Sequence, residues 1–165
     1  MKSTSGPPVP HVKAQRTRKA AADKHSSSRT EAYNPSTALD DYWIHAFARQ
    51  TRHASDADGG KWMIFVARPA VDAMWDRIAA AVKNGSLGWS AKVSTAVPNP
   101  NSSNPNKHVI CVYTDDTNDE VDIRRVRTEL RNLGIVWKIG YKSDAATRAG
   151  AYANRGATRI SKYWE

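Results

Sequence analysis

The chain has 165 residues, enough for one domain with a substantial core. It carries a formal net charge of +9, 40% hydrophobic residues and a single cysteine. An internal disulfide is therefore excluded, and neither a membrane-spanning apolar run of roughly 18 residues nor a signal-peptide core is visible, so a soluble protein of the cytoplasm or nucleus is expected.

Much of the charge is local. Residues 1–36 carry seven Lys or Arg against two Asp or Glu, which is +5 of the +9 and leaves +4 for the rest. Charge alone does not make the remainder a nucleic-acid binder. Residues 1–36 are rich in Pro, Ser, Lys, Arg and Ala, with Tyr33 as the only aromatic, and read as a disordered basic tail. Their cluster Lys13-Ala-Gln-Arg16-Thr-Arg18-Lys19 is a solubilising run or a polyanion-binding or nuclear-import patch.

Residues 37–165 read as one domain. Apolar residues at Leu39, Tyr42, Trp43, Ala46 and Phe47 share one helical face, which predicts a short helix or a helix-to-strand entry. After a polar loop closed by Asp58-Gly-Gly60, Lys61 to Val66 is an apolar run of strand length, buried on most sides. Pro69 suits a helix first turn, and Val71, Met74, Trp75, Ile78, Ala79 and Val82 follow the helical repeat up to the stop signal Asn84-Gly85.

Trp89 to Val97 is the next strand, with Ala91, Val93 and Thr95 opposite Ser90, Lys92 and Ser94. Three prolines and four asparagines make Pro98 to Asn106 a loop, and His108 to Tyr113 is a strand containing Cys111, read as a buried inert thiol. Asp115, Asp116 and Asp119 allow a metal or a capping reading; capping is preferred, because a helix follows. That helix, Glu120 to Leu133, places Ile123, Val126, Leu130 and Leu133 on one face and Arg124, Arg127 and Arg131 on another, a solvated or a partner-contacting face. A strand from Val136, with Trp137, Ile139 and Tyr141 on one side, then runs into the polar loop Lys142 to Gly150. The end of the chain, with Tyr163 and Trp164, packs back as a last strand. Strands and helices do not alternate as βαβ units and no Gly-rich phosphate loop is present. An α+β fold follows, a mostly antiparallel sheet with helices on one face.

Several segments resemble the Bles family of eukaryotic proteins: Gly60-Lys-Trp-Met-Ile-Phe65, Val71-Asp-Ala-Met-Trp-Asp76, Gly85 to Thr95, Val109 to Asp115, Arg127 to Gly134 and Tyr141 to Thr147. That family shares the fold of the mRNA cap-binding translation initiation factor of the 4E class. The run Ile139-Gly-Tyr-Lys-Ser-Asp-Ala-Ala-Thr147 is similar to that factor, and so is Gly59-Gly-Lys-Trp62.

The resemblance implies a curved antiparallel sheet with a ligand cleft on its concave side. In the cap-binding factor two tryptophans sandwich the methylated base, a Glu beside one of them reads its edge, and basic residues hold the phosphates. Trp43 takes the place of the second tryptophan and Tyr113 that of a third, while Lys92 lies in a phosphate-binding strand and Lys107 before the next. Beside Trp43 stands Ile44, not Glu, and the segment carrying the first tryptophan has no counterpart. Without that carboxylate the methylated ring loses its main source of selectivity, so genuine cap recognition is not expected.

The function expected is a non-enzymatic binding module, monomeric and without cofactor or metal, with a basic, aromatic cleft for RNA, a nucleotide or another phosphorylated ligand. Its residues would be Trp43, Lys92, Ser94, Thr95, Tyr113, Lys142, Asp144 and Thr147, with a Lys142–Asp144 pair that merely pins the loop as the competing reading. Two rivals stand beside it. One is an adaptor that docks an acidic protein partner on Arg124, Arg127 and Arg131. The other is a small enzyme on a phosphorylated substrate, with Lys92 or Lys142 as base or clamp and His108 or His45 as acid.

Overall fold

The computed structural model describes residues 33–49, 58–99, 102, 104–150 and 161–165. The tail reading for residues 1–32 lies outside them. Six strands form one sheet: β1 (Trp43–Phe47), β2 (Gly60–Ala67), β3 (Ser90–Ser94), β4 (Lys107–Thr114), β5 (Gly140–Ser143) and β6 (Tyr163–Trp164). Their order is β1-β3-β4-β2-β5-β6, and every neighbouring pair is antiparallel. Three helices join them: α1 (Arg68–Lys83), α2 (Glu120–Asn132) and α3 (Asp144–Arg148).

The helices form where the local signals agree. Pro69 sits in the first turn of α1, and Val71, Met74, Trp75, Ile78, Ala79 and Val82 are its buried stripe. The Asp119 carboxylate accepts from the Asp122 backbone N–H and caps α2. Both helices end before a glycine with positive φ, Gly85 at 84° and Gly134 at 94°.

Alternation along the strands splits the sheet into two faces. Trp62, Ile64 and Val66 of β2, Ile110 and Val112 of β4, Ala91 and Val93 of β3 and Tyr141 of β5 belong to one buried cluster with α1 and α2. The Trp62 indole N–H donates to the Ile123 carbonyl of α2 at 3.1 Å. The opposite residues of the same strands, Lys61, Met63 and Phe65 for β2, stay outside that cluster. One face of the sheet thus carries the core, and the other carries the lysines.

Two expected elements differ. The segment 38–48 forms no helix. Trp43 to Phe47 pairs with β3, with Ala46 and Ile44 toward the core and Leu39, Tyr42 and Phe47 exposed. The strand expected from Val136 begins only at Gly140. The carbonyls of Ile135 and Trp137 are taken by the Arg127 guanidinium, at 2.8 Å each, so this segment is held by a side chain instead of a ladder. Ser36, placed with the tail by composition, donates its backbone N–H and its hydroxyl to Asp72 at 2.9 and 2.5 Å. The packed body begins a few residues before Thr37.

Candidate functional site

The face opposite the helices is built from cross-strand rows. One row holds Phe47, Ser90, Tyr113, Lys61 and Lys142, from β1 across to β5. The next holds His45, Lys92, Cys111, Met63, Gly140 and Trp164. Antiparallel alternation is the cause: each of these residues is an even number of positions from the others on its strand. Lys61, Lys92 and Lys142 are therefore delivered to one surface by three different strands.

Tyr113 is the hub. The Lys61 ammonium lies 5.2 Å and the Lys92 ammonium 5.8 Å from its ring centroid, and Trp89 packs against it at 5.8 Å. Lys92 also sits over the Trp43 ring at 4.1 Å, within cation–π range. An ion pair joins Lys61 to Asp144, the first residue of α3. Asp144 is fixed there by its backbone N–H, which donates to the Gly59 carbonyl at 2.8 Å, and by Ser143, which caps α3 through the Ala146 N–H. Asp58 holds the same helix from outside, through the Ala145 N–H at 3.1 Å and Arg148 at 2.6 Å.

Burial makes these charges costly. Lys142 is 2% exposed and Lys61 7%. Burial, then the charge of Lys61, holds both the Lys92 and the Lys142 ammonium below the ordinary lysine range; for Lys92, Cys111 and Asp144 act in the opposite sense. Burial pushes the Cys111 thiol up, against the pull of the neighbouring lysines. Cys111 is buried as expected, yet it lies on the lysine face and not in the core cluster.

The structure gathers Trp43, Lys92, Tyr113, Lys142 and Asp144 and leaves three of the expected cleft residues in other roles. The Thr95 hydroxyl donates to the Asp41 carbonyl and accepts from the Val97 N–H at 3.3 Å, and its parity turns it away from the lysines. The Ser94 hydroxyl accepts from the Val109 N–H at 3.0 Å. The Thr147 hydroxyl donates to the Ser143 carbonyl at 3.1 Å within α3. Lys61 makes an ion pair with the Asp144 that opens α3.

The arginine face is corrected as well. Arg127 is 1% exposed, between Trp62 at 5.8 Å and the backbone oxygens of Ile135, Trp137 and Glu165. Only Arg124 and Arg131 remain at the surface, next to Glu120 and Glu165. His108 is 3% exposed on the helix side of the sheet, with Nδ1 2.7 Å from the Ser94 carbonyl, so it does not share a surface with the lysines.

Lys61 was missed from sequence because its run reads as uniformly apolar. The signal was present in the alternation of Lys61, Met63 and Phe65 with Trp62, Ile64 and Val66.

Residues 10–150 match the family described as Basophilic leukemia-expressed protein Bles03. The chain belongs to that family. The Bles03 fold is in turn similar to that of cap-binding factors. Schistosome eIF4E complexed with m7GpppA and 4E-BP matches with a TM-score of 0.50 at 20% identity, over 66% of this chain and 59% of that one. The schistosome complex with m7GpppG and 4E-BP gives 0.50 at 21% identity over the same shares. Ascaris suum eIF4E-3 with the m2,2,7G cap gives 0.49 at 15%, over 74% and 68%. The matched part spans about three fifths of the schistosome chains. The likeness shows that this chain's six-stranded α+β fold resembles theirs.

Proposed function

We propose that this Bles03-family chain is a non-enzymatic binding module that takes an anionic, phosphorylated ligand of the nucleotide or RNA class on the lysine face of its sheet. The observation that carries the reading is the trio Lys61, Lys92 and Lys142 on one face, with Asp144 paired to Lys61 and Tyr113 and Trp43 between and beside them. Partly desolvated ammonium groups gathered on one face favour an arriving phosphate, and the rings offer stacking to a base. The schistosome proteins of similar fold are complexed with m7Gppp nucleotides, which supports the nucleotide reading.

Cap selectivity is a separate matter. Ile44, beside Trp43, packs on the core, so no carboxylate stands there to meet the edge of a methylated base. Equal affinity for GTP and 7-methyl-GTP is expected. The adaptor reading keeps Arg124 and Arg131 but not the buried Arg127, and the enzyme reading loses His108 as acid.

The test is a tryptophan-fluorescence titration with GTP, 7-methyl-GTP and ATP. Lys92→Ala and Lys61→Met should each weaken binding about tenfold, the scale of one charge-assisted hydrogen bond at about 1.5 kcal/mol. Far-UV circular dichroism verifies the fold. Binding that ignores both substitutions, or no binding by any of the three nucleotides, sinks the proposal.

A further inference from the structure

The lysine face also carries aromatic side chains that the core does not use. His45 and Phe47 on β1 stack with their rings 5.9 Å apart and 3° from parallel. Phe47 is 53% exposed, Phe65 on β2 55% and Trp164 on β6 63%. Single exposed apolar residues need no explanation, but these share one face of one sheet with the lysines. Taken strand by strand, the surface reads aromatic on β1, Lys92 on β3, Tyr113 on β4, Lys61 with Phe65 on β2, Lys142 on β5 and Trp164 on β6. Rings and cations thus interleave across the whole sheet.

Resting on the phosphate-binding reading above, we infer that the ligand is single-stranded RNA laid across the strands, with several nucleotides engaged at once. A single strand alternates stackable bases with anionic phosphates, which is the complement of this surface. The face spans five strand spacings from β1 to β6, about 24 Å at roughly 4.8 Å each. One nucleotide cannot touch both ends. Phe47 and Phe65 flank the lysine trio and serve as stacking platforms for bases whose phosphates meet Lys92, the partly exposed lysine, with the buried Lys61 adding its charge from beneath.

Among the described residues no strand pairs with the outer edge of β1, and that edge favours RNA over DNA. Bonds from the Thr95 N–H to the Tyr42 carbonyl at 3.1 Å and from the Ala48 N–H to the Trp89 carbonyl at 2.9 Å turn the even-numbered backbone groups toward β3. Those of Trp43, His45 and Phe47 therefore face away from the sheet, beside the stacked rings, where their carbonyls can accept from a 2′-hydroxyl.

The experiment is fluorescence anisotropy on the full chain with fluorescein-labelled oligouridylates of two and eight nucleotides. An eight-nucleotide oligodeoxyuridylate, an RNA duplex and GTP are added as competitors. Phe47→Ala and Phe65→Ala are measured beside Lys61→Met and Lys92→Ala; both rings are more than half exposed, so melting should be unchanged. The octamer should bind at least tenfold tighter than the dimer and tighter than the deoxy octamer or the duplex. Each phenylalanine variant should lose about fivefold or more on the octamer, the low end for a stacked base, and leave GTP binding as in the wild type. The inference is overturned if the octamer binds no better than the dimer, if DNA or duplex competes more strongly, or if both phenylalanine variants retain wild-type octamer binding. GTP binding that depends on Lys61 and Lys92 without any length dependence would defeat this inference and leave the phosphate site standing. Octamer and GTP binding that both ignore the lysine variants would defeat the two together.

Discussion

Asp144 is where stability and binding should pull in opposite directions. Its carboxylate meets Lys61, whose side chain is 9% exposed, and its own side chain is 30% exposed. In Asp144→Asn the Lys61 ammonium is left on a face where Lys92 and Lys142 are already held below their usual range by burial and by Lys61 itself. Removing one partner of a fully buried pair costs about 3–5 kcal/mol. Solvent at Asp144 screens part of that, and about 2 kcal/mol is expected, a fall in Tm of about 8 °C for a body of this size. Binding should move the other way. The carboxylate occupies the cation that a phosphate would use, so its neutralisation should tighten GTP or oligouridylate about tenfold, roughly 1.4 kcal/mol. Differential scanning fluorimetry and the fluorescence titration read the two effects on one sample. A fall in affinity would mean that Asp144 contacts the ligand itself. An unchanged Tm would mean that the ion pair does not hold Lys61 in place. Either result refutes the reasoning.

Other perturbations have equally definite signs. Arg127→Ala strips the backbone oxygens of Ile135, Trp137 and Glu165 of their donor and should cost about 3 kcal/mol by urea unfolding, because buried unsatisfied acceptors cost about 1–3 kcal/mol each and the relieved desolvation offsets part; Arg124→Ala, at an exposed pair, should stay within about 0.5 kcal/mol, and equal effects of the two would refute the assignment. Lys92 and Lys142 are depressed below the ordinary 10.5, so between their folded values and 10.5 the unfolded chain binds more protons and their contribution to stability rises with pH, while phosphate affinity falls as they discharge; ligand affinity that stays flat up to pH 10.5 would contradict this. Cys111 and Tyr141 are raised above 9.0 and 10.0 and act with the opposite sign, lowering stability as pH climbs past those values. Buried and held protonated, Cys111 should react with iodoacetamide at pH 8 at least about tenfold more slowly in the folded chain than in urea, and equal rates would overturn its placement.

The elements legible in the sequence were those whose own residues decide them. α1 carries its starting proline, its apolar stripe and its stop signal within about five turns, and α2 carries its cap in Asp119. β1 was misread because Trp43, Ala46 and Phe47 satisfy a helical spacing as well as a strand, and what selects the strand is the edge of β3, distant in sequence. The late start of β5 depends on Arg127, which takes the carbonyls of Ile135 and Trp137 from another element. The site divides in the same way. Lys92, Tyr113 and Asp144 stood out through the resemblance. Lys61 is visible only once β2 is paired on both sides, with Tyr113 across one ladder and Lys142 across the other.

That pairing also bears on why the lysines are where they are. Burying like charges on one sheet face is unfavourable, and substitution by methionine or leucine would relieve the cost. Core packing does not require them, since the cluster around Trp62 and Tyr141 is closed on the helix side without any lysine. Their partners differ: Asp144 reaches Lys61, while Lys92 lies over the rings of Trp43 and Tyr113. A ring face compensates an ammonium by only about 0.5–2 kcal/mol, less than a carboxylate or phosphate supplies at contact distance in a poorly solvated site. An anion that reached Lys92 would add to its ring contacts and gain affinity there. On the proposed reading, the ligand would approach the face that carries alternate residues of β2, β3 and β5.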